Sequence, residues 1–377
     1  MNRRPQRTLA IFAVVMLLAS FAGPKPAAAQ LAPEIGYVLP AGGAPGTTFD
    51  AVLGGYDWTP DMQVFSHDPR VKIEIVGPPS PVLVPEPPYW FGAKARGPAW
   101  PLPREFPARI TIGADVPPGI VRWQVANANG VSPPGMLHIG AGTTIAEDPK
   151  RRGPQSLPSL PVTVSGQIRR IEEVDSYSFR VSQDGPVTLT LVARQIGSPL
   201  HGIMRVIDDE GRKVVDAADT LGRDLTLTFA ARAAANYVVQ LHDLDFAGDR
   251  SYVYRLELTP GPRVVAAFPI CGKRGTTQKV EFWGWGVATG AAQLESTIRE
   301  VSFPNDAATS QFAYQLETPL GKSRPWTMSV ADETDEVEPP SSRMRSLARV
   351  PIAITGAIEA PFDSDEYSVT FTKDTTY

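Results

Sequence analysis

Short runs in which apolar and polar residues alternate fill the middle of the chain, between about residues 158 and 258. In one of them Tyr177, Phe179 and Val181 are separated by single polar residues. Because side chains alternate between the two faces of a strand, each run buries one face and exposes the other to water. About eight such runs with turn residues between them predict an antiparallel β-sandwich. The clearest runs are 175–181, 224–229, 236–241 and 252–258.

Proline and glycine are frequent, at 38 and 32 of the 377 residues, and no stretch shows sustained helical periodicity. This composition is typical of short strands joined by turns. The single cysteine, Cys271, excludes an internal disulfide, so burial of apolar side chains must hold the domains together. The predicted fold class is all-β, as tandem β-sandwiches.

The N-terminus has the features of a secretory signal peptide, predicted to span residues 1–29. Three arginines precede an apolar run from Leu9 to Ala22, and three alanines ending at Ala29 offer a cleavage site. The apolar run is too short to span a bilayer comfortably, and no later run is long enough. We therefore expect a secreted, periplasmic or cell-surface protein with no membrane span after cleavage. An uncleaved N-terminal anchor is the alternative.

The chain repeats itself in the order A–B–A′–B′. The segment 40–48 matches 269–277 without a gap, and 161–168 matches 351–358 in the same way. Two gapless matches in the same order indicate an array of sandwiches. The predicted boundaries are the signal peptide at 1–29, module A at 30–141, a linker at 142–157, module B at 158–260, module A′ at 261–330, an acidic linker at 331–350 and the start of module B′ at 351–377.

Four segments of module B carry a family resemblance: 193–200, 208–211, Tyr237 and 252–256. They are similar to the bacterial pre-peptidase C-terminal domain, in the form found in large secreted proteins of planctomycete-type bacteria. The resemblance implies a jelly-roll-like sandwich that is appended to secreted enzymes or surface proteins and has no catalytic activity of its own. Modules A and A′ resemble the immunoglobulin-like modules that precede such domains, mainly through their turn spacing.

Module B′ ends far short of a full copy of module B, just after the run 367–371. Two strands alone are marginally stable in water, and an unpaired edge invites aggregation. We therefore expect the last module to be truncated, in a fragment whose native product continues past Tyr377. Donation of the missing strands by a partner chain is the alternative.

A proline-dense insertion at 77–107 is present in module A and mostly missing from module A′. Proline cannot donate to a strand ladder, so the insertion is predicted to be a long ordered loop. Its rings Tyr89, Trp90, Phe91 and Trp100 are expected to contact a partner, since exposed aromatic side chains anchor interfaces well. In the alternative, these rings cover the core of module A.

No catalytic residue is predicted. The four histidines, His67, His138, His201 and His242, have no zinc-binding spacing. The sequence has no nucleophile elbow, phosphate-binding loop, dinucleotide fingerprint or C-x-x-C pair. His242 beside Asp243 is the nearest approach to a base with an orienting partner, and we expect it to be a surface residue.

Acidic clusters are the candidate metal ligands, because Ca²⁺ takes about six to eight oxygen atoms. The resemblance implies a site like that of the collagen-binding module of bacterial collagenases, with an E-x-E run in the linker and a D-x-x-D run before the next strand. The linker before module B offers only Glu147 and Asp148, a poor match, and neither copy has the full set. The alternative is a solvated acidic linker and an aspartate that caps a turn. The predicted calcium ligands are Glu172, Asp175, Glu336, Glu338, Asp363 and Asp365.

These features predict a non-catalytic secreted segment for binding, adhesion or targeting, with an extracellular protein or polysaccharide as partner. Signal cleavage removes only basic groups from a chain whose formal net charge is −4, and an acidic surface argues against nucleic acid as partner. Ca²⁺ is the one candidate cofactor. The runner-up is the accessory N-terminal region of a secreted peptidase or other hydrolase whose catalytic domain lies outside this chain. A cell-surface structural array is the third alternative.

Overall fold

The computed structural model describes residues 31–83, 102–140, 142–333, 335–337, 345–347, 350–358, 360–371 and 373. Within these ranges the regular structure is β-strand, apart from a short 3₁₀ turn at Arg194–Ile196. The described residues contain no helix long and apolar enough to cross a membrane. The all-β fold class is confirmed. The predicted signal peptide and the four rings of the insertion lie outside the described residues.

Module A is a sandwich of two sheets, with strand orders β1-β3-β6-β5 and β2-β9-β7-β4, and β8 pairs with β7. Every second residue of β6 is buried, from Phe106 to Ile112, as the strand period requires. The ring of Trp58 lies 4.7 Å from that of Phe106 in the core between the sheets. The strands are β1 Glu34–Leu39, β2 Gly42–Gly43, β3 Thr48–Tyr56, β4 Gln63–Ser66, β5 Val71–Ile75, β6 Arg104–Ile112, β7 Gly119–Asn127, β8 Gly130–Val131 and β9 Gly135–Ile139.

Module B is a sandwich of two five-stranded sheets, β10-β12-β19-β14-β17 and β11-β13-β18-β15-β16. Its core holds the apolar faces of the alternating runs, among them Tyr177, Phe179 and Leu227. The strands are β10 Thr144–Ala146, β11 Gln155–Ser156, β12 Val162–Gln167, β13 Asp175–Arg180, β14 Gly185–Val192, β15 Gly202–Asp208, β16 Lys213–Ala218, β17 Leu225–Ala231, β18 Asn236–Asp243 and β19 Val253–Pro260.

Part of the segment predicted as a linker, 142–157, belongs to the sheets of module B. The strand β10 pairs in parallel with β12, and β11 pairs in parallel with β13. Both strands are too short to show an alternating pattern, so the sequence predicts only a polar linker there. As a result the segment between β10 and β11 is held against the edge of the sandwich.

Module A′ repeats the arrangement of module A with fewer strands, in sheets β20-β22-β23 and β21-β27-β24 and a small hairpin β25-β26. The parallel pair β21–β27 corresponds to β2–β9. The short loop 286–293 stands where module A has β4, β5 and the insertion, so the copy lacks counterparts of those two strands as well as of the insertion. The strands are β20 Arg263–Phe268, β21 Cys271–Lys273, β22 Thr277–Trp285, β23 Leu294–Ser302, β24 Gln311–Tyr314, β25 Glu317–Thr318, β26 Gly321–Lys322 and β27 Trp326–Ala331.

The described part of module B′ repeats the first pairings of module B. The strand β28 pairs in parallel with β30 as β10 does with β12, and β29 pairs in parallel with β31 as β11 does with β13. Both pairs are two-stranded, and the ring of Phe362 is fully exposed. The strands are β28 Asp335–Val337, β29 Arg345–Leu347, β30 Ala353–Thr355 and β31 Tyr367–Val369.

Module A packs against the outer face of the first sheet of module B. The N–H of Ala41 donates to Ser165 Oγ at 3.0 Å, and Arg250 forms an ion pair with Glu105 at 3.3 Å. An apolar cluster fills the rest of the contact. Its buried members are Tyr37 and Ala41 of module A, and Val192, Ile196 and Val253 of module B.

Module A′ packs against the same face, nearer the end of β19. Arg324 Nη1 lies 3.0 Å from Glu257 Oε2, and Arg263 Nη1 donates to Thr228 Oγ1 at 3.0 Å. Both contacts are polar, unlike the apolar cluster beneath module A. A groove remains between module A′ and the sheet, and it forms one of the two sites described next.

Candidate functional site

Three carboxylates of module B come together at the edge of the sandwich and are called the carboxylate cluster: Glu147, Glu173 and Asp175. Glu147 directly follows β10, Glu173 lies in the turn before β13, and Asp175 opens β13. One oxygen from each lies within 4.8 Å of the others. The parallel pairing of β10 brings Glu147 to this edge, where a polar cleft of about 230 Å³ opens over the cluster.

The guanidinium of Arg151 occupies the centre of this cluster. Its Nη1 lies 3.0 Å from Glu147 Oε1 and its Nη2 lies 3.0 Å from Asp175 Oδ1. The same group sits over the ring of Tyr177, 4.9 Å from the ring centre. The arginine side chain is only 14% exposed, so a buried cation already bridges two of the three carboxylates.

The remaining oxygens of the cluster accept further hydrogen bonds. The hydroxyl of Tyr254 donates to Asp175 Oδ2 at 2.5 Å, and the N–H of Gln167 donates to Glu147 Oε2 at 2.8 Å. The carboxylate of Glu173 accepts two backbone N–H groups, those of residues 169 and 170. These hydrogen bonds to the cluster therefore all come from backbone and side-chain groups of module B.

Burial, and after it the neighbouring charge of Glu147, together raise the pKa of Asp175 to about 8. One guanidinium faces two buried carboxyl groups, so the repulsion between the two carboxylates adds to the cost of burial. Burial also raises the pKa of Tyr254, so its hydroxyl stays a hydrogen-bond donor at neutral pH. At neutral pH Asp175 thus keeps its proton.

The predicted calcium ligands are distributed differently from the cluster. Asp175 belongs to it, whereas Glu172 is exposed, with a left-handed φ of 64°. Asp363 and Asp365 are half-buried in the turn before β31. The side chain of Glu336 and the whole of Glu338 lie outside the described residues. Calcium binding at these positions stays a prediction.

The strand registers identify Glu147 as the counterpart of Glu338, a correspondence that the sequence alone does not show. Thr144 pairs with Thr163, and Asp335 pairs with Ala353, which is the repeat equivalent of residue 163. The run Ile145-Ala-Glu147 therefore corresponds to Glu336-Val-Glu338 in the second copy. Module B therefore has the second glutamate of that pair, Glu147, but not the first. This match can be recognised only when the strand register is known.

His242 does not use the carboxylate of its neighbour Asp243. His242 Nδ1 lies 2.8 Å from the backbone oxygen of Asp243, and its ring stacks on Phe246 at 4.4 Å. The Asp243 carboxylate instead accepts three backbone N–H groups, including that of His201 at 3.0 Å. Asp243 thus holds a turn and does not orient His242.

The second site is a groove of about 410 Å³ between module B and module A′, called the junction groove. Its floor is the outer face of strands β14, β17 and β19, and its wall comes from module A′. Threonine hydroxyls line the floor, and guanidinium, ammonium, amide and indole groups line the wall. The residues used below are Thr188, Thr190, Thr226, Thr259, Arg263, Gln315, Lys322, Arg324 and Trp326.

Cross-strand pairing sets the row of hydroxyls in the floor. Thr190 pairs with Thr226, and Thr188 pairs with Thr228 on one side and Thr259 on the other. The Thr188 and Thr228 hydroxyl oxygens are 3.0 Å apart, and Thr226 donates to Thr190 at 3.4 Å. Hydroxyls both donate and accept, so the floor offers both kinds of hydrogen bond on a rigid sheet.

The wall of the groove is cationic. Arg263, Lys322 and Arg324 line it, and no aspartate or glutamate among the described residues does, although Glu257 lies beside Thr190 in the adjoining strand and contacts Arg324. Arg324 also donates to Thr259, which joins wall and floor. The ring of Trp326 is half-buried against the core of module A′ and completes the wall.

The fold and these two sites define an all-β chain of docked β-sandwich modules with a polar groove between two of them. No protein-family model matches the chain, and no curated protein matches it. Among solved structures, it is similar to the pre-peptidase C-terminal domain of a collagenase from Bacillus anthracis, at 14% identity over 29% of this chain and 98% of that one, with a TM-score of 0.23.

Two further solved structures are similar to the chain. One is SGBP-B from a complex xyloglucan utilization locus in Bacteroides uniformis, at 12% identity over 61% of this chain and 72% of that one, with a TM-score of 0.19. The other is an I-band fragment of titin, at 10% identity over 80% of this chain and 99% of that one, with a TM-score of 0.18. The function of this chain is therefore argued from its own residues.

Proposed function

We propose that this chain is a non-catalytic secreted segment that binds an extracellular polysaccharide, and that the junction groove is its binding surface. The observation that carries the proposal is the rigid row of threonine hydroxyls facing a wall of cationic and amide groups. A groove of a few hundred Å³ with a small number of fixed polar groups is the usual form of a binding site. Because two modules form it, the site depends on their docking.

The hydroxyl row gives the direct test of this proposal. The double substitution Thr190→Val and Thr226→Val keeps the shape and strand propensity of the floor but removes two hydroxyls. Each lost hydrogen bond costs about 1 kcal/mol, so the affinity for a bound polysaccharide is expected to fall by about tenfold or more. A panel of neutral and charged extracellular glycans is first screened for polysaccharides that bind the chain. The affinity of each bound polysaccharide is then measured by isothermal titration calorimetry.

A matched control lies on module A. Thr48 donates to Thr111 at 3.1 Å across an exposed strand pair, the same kind of contact away from the groove. Thr48→Val with Thr111→Val is expected to leave the affinity unchanged. If the panel yields no bound polysaccharide, or if both double variants bind alike, the proposed function is wrong. An extracellular protein retained through the groove would also contradict it.

The aromatic insertion is proposed as a second contact surface. Tyr89, Trp90, Phe91 and Trp100 sit in a segment that module A′ lacks, and a fold does not require an insertion that its own repeat omits. Replacing all four by serine is expected to weaken partner binding severalfold, with the melting temperature nearly unchanged. A large loss of stability instead would show that the rings belong to the core of module A.

The alternative proposal is the accessory region of a secreted peptidase or other hydrolase. The observation that favours it is the resemblance of module B to pre-peptidase C-terminal domains, carried by residues 193–200, 208–211, Tyr237 and 252–256. The coding sequence on the 3′ side of this chain separates the two. A hydrolase signature there supports the accessory role, and further sandwich repeats support an independent binding segment.

A further inference from the structure

The junction groove carries more positive charge than its surroundings neutralise. Lys322 has an exposed partner, Glu317 at 3.2 Å, and Arg324 has Glu257 at 3.0 Å. Arg263 donates to Thr228 and, among the described residues, forms no ion pair with a carboxylate. A half-buried guanidinium without a counter-charge is costly unless an anion approaches it.

Glu257 is shared among several positive groups rather than reserved for Arg324. It faces the fully buried Arg255, whose Nε and Nη1 have no hydrogen-bond partner in the described part of the chain. Burial lowers the pKa of Arg255 to about 10, so this arginine is still charged at neutral pH. His138 Nδ1 lies 3.9 Å from the same carboxylate, and burial lowers the pKa of His138. One carboxylate thus faces two guanidinium groups.

Arg263 and Arg324 also act on each other. Burial lowers the pKa of Arg263, and the charge of Arg324 lowers it further. Two guanidinium groups that repel each other in the same wall of a groove are stabilised by a ligand that places negative charge beside both. The overall chain has a formal net charge of −4, so this positive surface is local and is not part of a basic protein.

We propose, building on the function above, that the junction groove selects an acidic polysaccharide, one bearing carboxylate or sulfate groups among its hydroxyls. Arg263 and Arg324 take the acidic group, because guanidinium donors match the geometry of oxyanions. Thr190 and Thr226 take the neutral hydroxyls, to which they can donate and from which they can accept. The ring of Trp326 offers an apolar surface against which a sugar ring can pack.

An acidic peptide fits these observations less well. Peptide recognition on a β-sandwich uses backbone pairing at a sheet edge or pockets for large apolar side chains. The floor here is the face of a sheet, and its side chains in the groove are threonines. A row of small hydroxyls suits a ligand that carries hydroxyls along its whole length.

The test uses the chain without its signal peptide and four probes: polygalacturonate, dextran sulfate, unmodified dextran and poly-glutamate. We expect polygalacturonate or dextran sulfate to bind at least tenfold more tightly than dextran, and the affinity to fall as salt rises. The two acidic probes separate a carboxylate preference from a sulfate preference. Arg263→Gln and Arg324→Gln are each expected to weaken acidic binding about tenfold.

Two further variants make the result decisive. Arg263→Lys keeps the charge but loses the planar guanidinium, so its affinity is expected to lie between those of the native chain and Arg263→Gln, which separates the effect of charge from that of guanidinium geometry. Arg212→Gln, at an exposed ion pair on module B, is the control and is expected to change nothing. If dextran binds as tightly as the acidic polymers, the charge selection is wrong although the proposed function stands. If poly-glutamate binds best through Arg263, the ligand is a protein, and if no polymer binds, the proposed function fails as well.

Discussion

Removal of the Arg151 guanidinium is expected to lower the free energy of unfolding by about 3–5 kcal/mol, the cost of breaking a buried charge pair by deleting one partner. In the Arg151→Ala variant the carboxyl groups of Glu147 and Asp175, 8% and 2% exposed, lose the cation that bridges them. The measurement is chemical denaturation of the chain, in which the unfolding transition of module B is monitored. The loss should be larger near pH 8 than near pH 5, because Asp175 relieves the repulsion when it holds a proton.

A matched control is the Arg212→Ala variant. Arg212 contacts Asp208 at 2.9 Å, but its side chain is 65% exposed, so solvent screens the pair. Exposed pairs contribute about 0–1 kcal/mol, and the control is expected to unfold almost as the native chain does. Equal effects of the two substitutions would mean that the cluster does not depend on its buried cation.

The same variant tests the calcium prediction for module B. With Arg151 in place, Ca²⁺ at millimolar concentration is expected to leave the stability of module B nearly unchanged, because a guanidinium already lies between the carboxylates. In Arg151→Ala, three carboxylate oxygens lie within 4.8 Å of one another and two of the three carboxylates have lost the guanidinium that bridges them. Hard divalent cations bind such groups, so calcium should restore part of the lost stability by mass action. A calcium-dependent rise in the native chain that disappears in Asp175→Asn would show instead that the ion binds beside Arg151.

The sandwich of module B could be predicted because strands such as β13 and β18 alternate between buried and more exposed residues. In β13 the residues Tyr177 and Phe179 are buried while Ser176 and Ser178 are not, as the alternation requires. The strands β10 and β11 could not be predicted in this way. They span only three and two residues and join their sheets through backbone pairing, which leaves no side-chain pattern.

The two sites differ in how much of them the sequence reveals. Asp175 could be found because it opens a recognisable strand, but Glu147, Arg151 and Glu173 depend on the parallel register of β10 and on the turn before β13. The junction groove was missed altogether. Its threonines look like ordinary strand residues, and only the docking of module A′ on the outer face of module B gives them a ligand-sized space.

The stability of module B is expected to fall as the pH rises from about 4 to about 8, and Asp175 is the reason. Burial and the charge of Glu147 raise the pKa of this carboxyl group to about 8 from its ordinary value of 3.8. In this pH window the folded chain holds the proton and the unfolded chain has released it. The unfolded state therefore binds fewer protons, and the free energy of unfolding decreases with pH, by up to a few kcal/mol in all.

The Asp175→Asn variant should lose this dependence. Asparagine has the same size and accepts the Arg151 hydrogen bond, and the Tyr254 hydroxyl can turn to accept from its amide. Relative to the native chain, the variant should gain stability steadily between about pH 5 and about pH 8. The control is Asp208→Asn. Its carboxylate has a pKa lowered mainly by the backbone N–H of Arg212, so it titrates below this window and its loss should not change the slope. If native chain and Asp175→Asn show parallel profiles, Asp175 is ionised throughout, and Arg151 outweighs both its burial and the charge of Glu147.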